Sequence, residues 1–124
     1  MSEENNFNEI FQIRTKKYAI EIIRFYVTNC KKESELKTIG KQLLRSGTSV
    51  AANFRAYTRG RSTAERYSKL CIVVEETDET LFWFELLEES DLIKPEKLSI
   101  IKQESLELLK VFSSVRSKMK PTKN

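Results

Sequence analysis

Two short groups of residues have types and spacings that could do chemistry. Residues 46–49 read Ser-Gly-Thr-Ser, a small polar run like those that hold phosphate groups, and Asp78 with Glu85 could supply paired carboxylates for acid–base catalysis. The 124-residue chain has no histidine, which is the commonest general base and metal ligand. Its two cysteines, Cys30 and Cys71, have no paired spacing and are predicted to be buried or half-buried thiols. We therefore expect no enzyme activity, no metal and no cofactor.

The Ser-Gly-Thr-Ser run is better explained as the middle of a helix. A phosphate loop requires the pattern GxxxxGK[ST] between a strand and a helix. Apolar residues instead keep one helical face through this segment, at Leu36, Ile39, Leu43, Val50, Phe54 and Tyr57. The backbone amides are then used within the helix, and Gly40 with Gly47 predicts a small edge where another helix packs closely.

Helical spacing appears in four segments, at residues 8–30, 35–59, 63–91 and 95–118. Ser62 and Glu65 form a capping box before the third segment, and Pro95 suits the first turn of the fourth. Because the joints are short, we predict one domain, residues 1–124, folded as an all-α, up-down-up-down antiparallel four-helix bundle with disordered ends at 1–6 and 120–124.

No apolar run reaches the ~20 residues of a membrane span, and the acidic N-terminus is unlike a signal peptide, so we expect a cytoplasmic protein without membrane contact.

Two of the predicted helices have more than one apolar face. The first has an aromatic seam at positions 11, 18 and 25 and an aliphatic seam on nearly the opposite side. The third likewise has a second apolar face beside the one that would meet the core. A small monomer cannot cover all of these faces, so we predict a homo-oligomer. The residues predicted to form its interface are Ile13, Ile20, Val27, Ile72 and Trp83.

A basic stripe runs along one side of the second helix and into the following joint. Its members are Lys37, Lys41, Arg45, Arg55, Arg59, Arg61 and Arg66. In the projection of this helix no acidic residue lies on the stripe. The stripe could therefore follow the phosphates of RNA or DNA without sequence preference. The alternative is a solvated helix face that keeps the protein soluble.

Charge is also separated along the chain. Residues 1–69 hold 14 basic and 7 acidic residues, residues 70–93 hold 0 and 8, and residues 94–124 hold 8 and 3, although the net charge is only +4. Such blocks favour polyanion binding or charge-matched assembly. The alternative function is a protein-interaction scaffold, in which the acidic block at 75–91 meets a basic surface of a neighbouring subunit or another protein.

Asp78 is predicted to lie on the apolar face of the third helix, with Glu85 two turns further on. A buried carboxylate needs hydrogen-bond partners or it takes up a proton. The two carboxylates would be about 10 Å apart along one helix, which is unsuited to joint catalysis. We therefore predict a buried polar network of Asn53, Asp78 and Glu85 with a structural role.

The second and third helices resemble a known family. The runs QLLRSGTSVAANFRAYTRGRSTAERYSKL (42–70) and VVEETDETLFWFELL (73–87) are similar to 23S rRNA intervening-sequence proteins, also called the S23 family. The resemblance spans roughly residues 11–109 and is most specific at 49–53 and 78–83. It implies up-down bundles that assemble into barrel-shaped homopentamers, encoded in insertions of bacterial 23S rRNA genes and elsewhere in bacterial chromosomes.

The same resemblance extends to the accessory variability determinant proteins of diversity-generating retroelements. That group is strongly basic and binds a reverse transcriptase and nucleic acid. Many relatives carry Asn-Ile-Ala-Glu-Gly where this chain has Asn53 followed by Phe-Arg-Ala-Tyr, so only Asn53 corresponds. The resemblance supplies no catalytic residue, and the partners that it implies are further copies of the chain, RNA or DNA, or another protein.

Overall fold

The computed structural model describes residues 2–119, which form four α-helices and no strand. Helix α1 spans Glu3–Asn29, α2 spans Ser34–Thr58, α3 spans Thr63–Glu89 and α4 spans Pro95–Met119. The predicted all-α, up-down-up-down four-helix bundle is confirmed. No helix within the described residues is long and apolar enough to cross a membrane.

Helix α1 begins five residues before its predicted start. The Oγ of Ser2 accepts a hydrogen bond from the backbone N–H of Asn5 at 3.1 Å, and two glutamates in the first turn add favourable negative charge there. The predicted disorder is therefore wrong for residues 3–6. The predicted disorder of Met1 and of residues 120–124 lies outside the described residues.

The helices pack in chain order. Helix α1 contacts α2, α2 contacts α3, and α3 contacts α4, while α4 meets α1 at few positions. Consequently α1 and α3 occupy opposite corners of the bundle. Large side chains from all four helices fill its centre, and the rings of Phe54 on α2 and Phe112 on α4 lie 5.3 Å apart there.

Helices α1 and α2 approach closely at two glycines of α2. A Cβ atom at Gly40 would lie 2.6 Å from the Cβ of Cys30, and one at Gly47 would lie 2.8 Å from Cγ1 of Ile22. Both neighbours are fully buried, so neither has free space to move into. The predicted small packing edge is confirmed. It explains why α2 carries two residues that each cost about 1 kcal/mol of helix stability relative to Ala.

A layer of four buried hydroxyl groups crosses the core, with one residue from each helix. This hydroxyl layer consists of Tyr18, Ser46, Thr80 and Ser105. Tyr18 donates to Ser105 at 2.5 Å, since Ser105 itself donates to the carbonyl oxygen of Ile101, and Thr80 donates to Ser46 Oγ at 2.8 Å. Burial raises the pKa of Tyr18, the hydrogen bond with Ser105 opposes that rise, and the nearby carboxylate of Glu104 adds to it.

Candidate nucleic-acid interface and assembly face

The basic stripe is only partly free in the folded chain. Four of its residues are exposed on α2 or at its C-cap and form no ion pair with any described residue: Lys37, Lys41, Arg55 and Arg59. The other three, Arg45, Arg61 and Arg66, are in ion pairs. The absence of acids in the projection of α2 therefore does not hold for the folded chain, because α1 and α3 bring carboxylates to these three arginines.

Arg45 is neutralised by α3. Its guanidinium donates to Glu79 and lies 3.4 Å from a carboxylate oxygen of Glu76, and Trp83 Nε1 donates to the same Glu79 oxygen at 3.1 Å. Burial raises the pKa of Glu79, but the hydrogen bonds from Arg45 and Trp83 and the Arg45 charge outweigh it, so the net shift is downward. Projecting α2 alone could not show this pairing, because the acids belong to a neighbouring helix.

Arg61 and Arg66 lie at the joint between α2 and α3. Arg61 is almost fully exposed and only 3.8 Å from Glu65, which makes a weak surface pair. Arg66 donates to Glu4 at 2.5 Å, and its guanidinium lies over the ring of Tyr57, 5.9 Å from the centroid. Tyr57 is itself buried, so its ring cannot stack on a nucleic-acid base. Glu4 could have been found from the sequence, since Ser2 followed by two glutamates is a helix-start signal.

The four free cations form two separate pairs. Lys37 and Lys41 lie near the start of α2, and Arg55 and Arg59 lie near its end. The 14-residue interval between Lys41 and Arg55 corresponds to about 21 Å of helix. With Arg45 neutralised between them, the charge that a polyanion would meet is two patches and not one continuous line.

Lys16 of α1 adds a cation to the second pair. It lines an open cleft of about 200 Å³ together with Arg55, and Ala51 and Ala52 form part of the cleft wall. Both cations are exposed, and neither pairs with a described carboxylate. Sequence reasoning missed Lys16, because its distance from Arg55 depends on how α1 and α2 pack.

An aliphatic row lies on the outer side of α1 and is not covered by the bundle. This α1 row consists of Ile10, Ile13, Ile20, Ile23 and Val27. Its predicted interface members Ile13, Ile20 and Val27 are 67%, 40% and 53% exposed, respectively. The other two predicted interface residues, Ile72 and Trp83, are half-buried on α3.

The predicted buried network of Asn53, Asp78 and Glu85 is wrong for the folded chain. Asp78 is exposed, and the other two are half-buried on different helices. The Asn53 amide donates within its own helix, to the carbonyl oxygen and Oγ of Ser49. Thr77 is buried and therefore lies on the inward side of α3. Because each residue of an α-helix is turned by about 100° from the one before it, Asp78 points away from the core. The buried polar positions are occupied by hydroxyl groups, which hydrogen-bond to backbone carbonyl oxygens of their own helices or to one another.

A cleft of about 600 Å³ lies between α1 and α4, where these helices separate. Arg14 bridges it by donating to both carboxylate oxygens of Glu104 at 2.7 Å and to Glu107 at 2.9 Å. Tyr18 lines the same cleft, but its hydroxyl is held by Ser105 and its pKa is raised by burial, so it is a weak acid at neutral pH. No described residues form a metal-ligand cluster of three or more. Three of the charged residues that line this cleft, Arg14, Glu104 and Glu107, are therefore paired with each other, and the described lining contains no nucleophile beside a general base.

Comparison with known proteins gives the family. A family model described as 23S rRNA-intervening sequence protein matches residues 8–114. The chain belongs to this family. The resemblance seen at residues 49–53 and 78–83 is thereby confirmed, and the matched region includes the whole of α2 and α3.

A solved structure with a closely similar fold supports this assignment. It is that of a protein of unknown function from the S23 ribosomal protein family of Bacteroides thetaiotaomicron VPI-5482, and it superposes with a TM-score of 0.79 at 31% sequence identity. The match covers 89% of this chain and 97% of that one. A comparison with curated proteins gives no match. Family membership therefore establishes the bundle and leaves its function to be argued from the surfaces.

Proposed function

We propose that this member of the 23S rRNA-intervening sequence family is a non-enzymatic, homo-oligomeric scaffold. The α1 row carries this proposal. Of the large hydrophobic residues that are exposed among the described residues, five of seven lie on α1. Isolated apolar residues are common on surfaces, but a row that follows one helix over about five turns is typical of an interface.

The proposed assembly is a pentamer, as the family resemblance implies. Its mass would be five times the 14.5 kDa of one chain. Size-exclusion chromatography with light scattering over a range of protein concentrations tests the assembly. A mass of 14.5 kDa at every concentration would disprove it, and a stable mass other than five chains would disprove only the pentamer.

The role of the α1 row is tested with a matched pair of variants. Ile13→Asp places a charge within the row, where burial against a partner would cost several kcal/mol. Ser114→Asp introduces the same charge on α4, at an exposed residue that lines neither of the two clefts between α1 and α4. We expect the first variant to lose mass and the second to keep the wild-type mass, with both retaining the helical circular dichroism of the bundle.

A second candidate function is sequence-independent binding of RNA or DNA. The specific observation in its favour is the set of exposed cations without a described ion-pair partner, which Lys16 extends onto α1. The family's description refers to 23S rRNA, which makes structured RNA the first ligand to test. Such binding would be weak and strongly dependent on salt, because it rests on phosphate contacts alone.

Filter binding to structured RNA at low and raised salt tests this second function. Replacing Lys37, Lys41, Arg55 and Arg59 by Ala should lower the affinity and reduce the slope of log K against log salt by roughly 0.7 to 0.9 for each phosphate that the variant no longer neutralises. The matched control replaces four exposed lysines elsewhere, at Lys31, Lys32, Lys94 and Lys97. Equal effects in both variants would show that only net charge matters, and absence of binding at low salt would exclude the function.

A further inference from the structure

The outer side of α1 is positively charged as well as apolar. Between Ile13 and the end of the helix, the exposed charged residues are all basic: Lys16, Lys17 and Arg24. Lys17 and Arg24 flank the α1 row on the side of α4, with the half-buried Glu21 beside them, and neither cation forms an ion pair with a described residue. We define the α1 face as the α1 row together with these two cations.

The outer side of α3 has the opposite charge. From Glu75 to Glu89 the exposed residues are Glu75, Asp78, Phe82 and Glu89, and residues 70–93 contain no Lys or Arg. None of the three acids forms an ion pair with a described residue. The ring of Phe82 lies 5.2 Å from that of Trp83, so an aromatic pair sits among the carboxylates. We define these four exposed residues and Trp83 as the α3 face.

The two faces cannot meet within one molecule. Helices α1 and α3 occupy opposite corners of the bundle. Their inner side chains meet in the core, where the rings of Phe25 and Phe84 lie 5.4 Å apart, and their outer sides therefore point in different directions. A second copy of the chain, however, carries both faces. We propose that the α1 face of one copy binds the α3 face of the next copy. This inference rests on the proposed homo-oligomer and specifies how its subunits contact each other.

Charge decides between this arrangement and a symmetric one. If two α1 faces met, the positive charges of Lys17 and Arg24 would repel those of the second copy. If two α3 faces met, the negative charges of Glu75 and Asp78 would repel each other in the same way. Joining α1 to α3 places lysine and arginine opposite carboxylates and the aliphatic row opposite Phe82. Because each bound copy keeps one face free, the contact is heterologous and repeats until a ring closes or a chain grows.

Charge reversal tests the pairing. The first variant, Lys17→Glu with Arg24→Glu, makes both faces negative, and the second, Glu75→Lys with Asp78→Lys, makes both positive. All four sites are exposed, so circular dichroism and melting should report an intact bundle. We expect each variant alone to associate roughly 100-fold more weakly than wild type in sedimentation velocity, because like charges then face each other.

Mixing and combination distinguish the arrangements. An equimolar mixture of the two variants should associate again, although alternating copies cannot close a five-membered ring without one contact between like charges. The protein carrying all four substitutions, in which both faces are reversed, should regain the wild-type mass. Lys37→Glu with Lys41→Glu is the matched control for the first variant and should assemble as wild type. If the second variant keeps the wild-type mass, or if mixing restores nothing, the α1-to-α3 pairing is wrong. A monomeric wild type would instead refute the proposed homo-oligomer.

Discussion

Arg45 on α2 and Glu79 on α3 form an ion pair that interrupts the basic surface of α2 at its middle. Trp83 donates to the same carboxylate oxygen, so Glu79 is held in place from two directions. The pKa of Glu79 is lowered on balance, which keeps the carboxylate charged and the arginine neutralised at neutral pH. The folded chain therefore offers a polyanion less positive charge than its sequence indicates.

Removing the Glu79 charge should strengthen any binding to RNA. Glu79→Gln keeps the shape of the side chain and frees Arg45 from its closest counter-ion. If RNA crosses this surface, the slope of log K against log salt should steepen by up to roughly 0.9. Glu96→Gln on α4 makes the same charge change at an exposed site far from this pair in sequence. An equal response from both variants in filter binding would mean that Arg45 takes no part.

Removing one or the other hydroxyl of the Tyr18–Ser105 pair should lower the free energy of unfolding by unequal amounts. Ser105→Ala leaves the buried Tyr18 hydroxyl without its acceptor and should lower the free energy of unfolding by about 1–3 kcal/mol. Tyr18→Phe should cost less, about 0.5–1.5 kcal/mol, because Ser105 still donates to Ile101. Urea unfolding measures both. The double variant should resemble Tyr18→Phe alone, and simple addition of the two effects would contradict the hydrogen-bond assignment.

Gly47→Ala should destabilise the protein although Ala is the better helix former. The added methyl group would lie 2.8 Å from the buried Ile22, and overpacking of this kind costs about 1–3 kcal/mol. The gain in helix propensity is about 1 kcal/mol, so a net decrease of up to about 2 kcal/mol is expected in urea unfolding. Ala52→Gly, at an exposed site on the same helix, measures the propensity term by itself. A stabilised Gly47→Ala protein would show that α1 can move away.

Alkaline pH should unfold the protein partly through Cys30. Burial raises the pKa of its thiol to about 11, whereas in the unfolded chain the thiol has a pKa of about 8.5. Between these values the unfolded state releases a proton that the folded state keeps, so stability is present below the lower pKa and lost as pH rises through the upper one. Between the two pKa values, the free energy of unfolding should fall by about 1.4 kcal/mol per pH unit.

Cys30→Ala is the comparison for that slope, measured by urea unfolding at a series of pH values. The variant should lack the decrease in stability that begins near pH 9, whatever its stability at neutral pH. Tyr18, whose pKa is also raised by burial, adds a further decrease above about pH 10 in both proteins. Parallel curves for the two proteins from pH 8 to 10 would contradict the role of the thiol.

Much of the fold could be predicted because helical periodicity and end signals are local. The third and fourth helices begin at Thr63 and Pro95 as predicted, since a capping box and a proline mark those starts. The predicted start of the first helix is too late, because its opening turn is polar and is fixed by the Ser2 cap and by contact of Glu4 with Arg66. Apolar spacing cannot reveal such a turn.

The surfaces are harder to predict because they combine residues from different helices. The exposure of Ile13, Ile20 and Val27 can be anticipated from their spacing on one helix. The neutralisation of Arg45 and the approach of Lys16 to Arg55 cannot, since both depend on which helices are neighbours. The prediction for Asp78 is wrong because α3 has apolar residues around much of its circumference, so its projection does not single out one inward side.

The hydroxyl layer also fixes how the helices are aligned along the bundle axis. Aliphatic cores tolerate a helix that slides by one turn, about 5.4 Å, since one leucine replaces another in the same position. A slide here would separate Tyr18 from Ser105, or Ser46 from Thr80, and leave hydroxyls facing hydrocarbon. The layer thus works as an alignment mark, which holds α1 at a fixed height relative to α4 and α2 at a fixed height relative to α3.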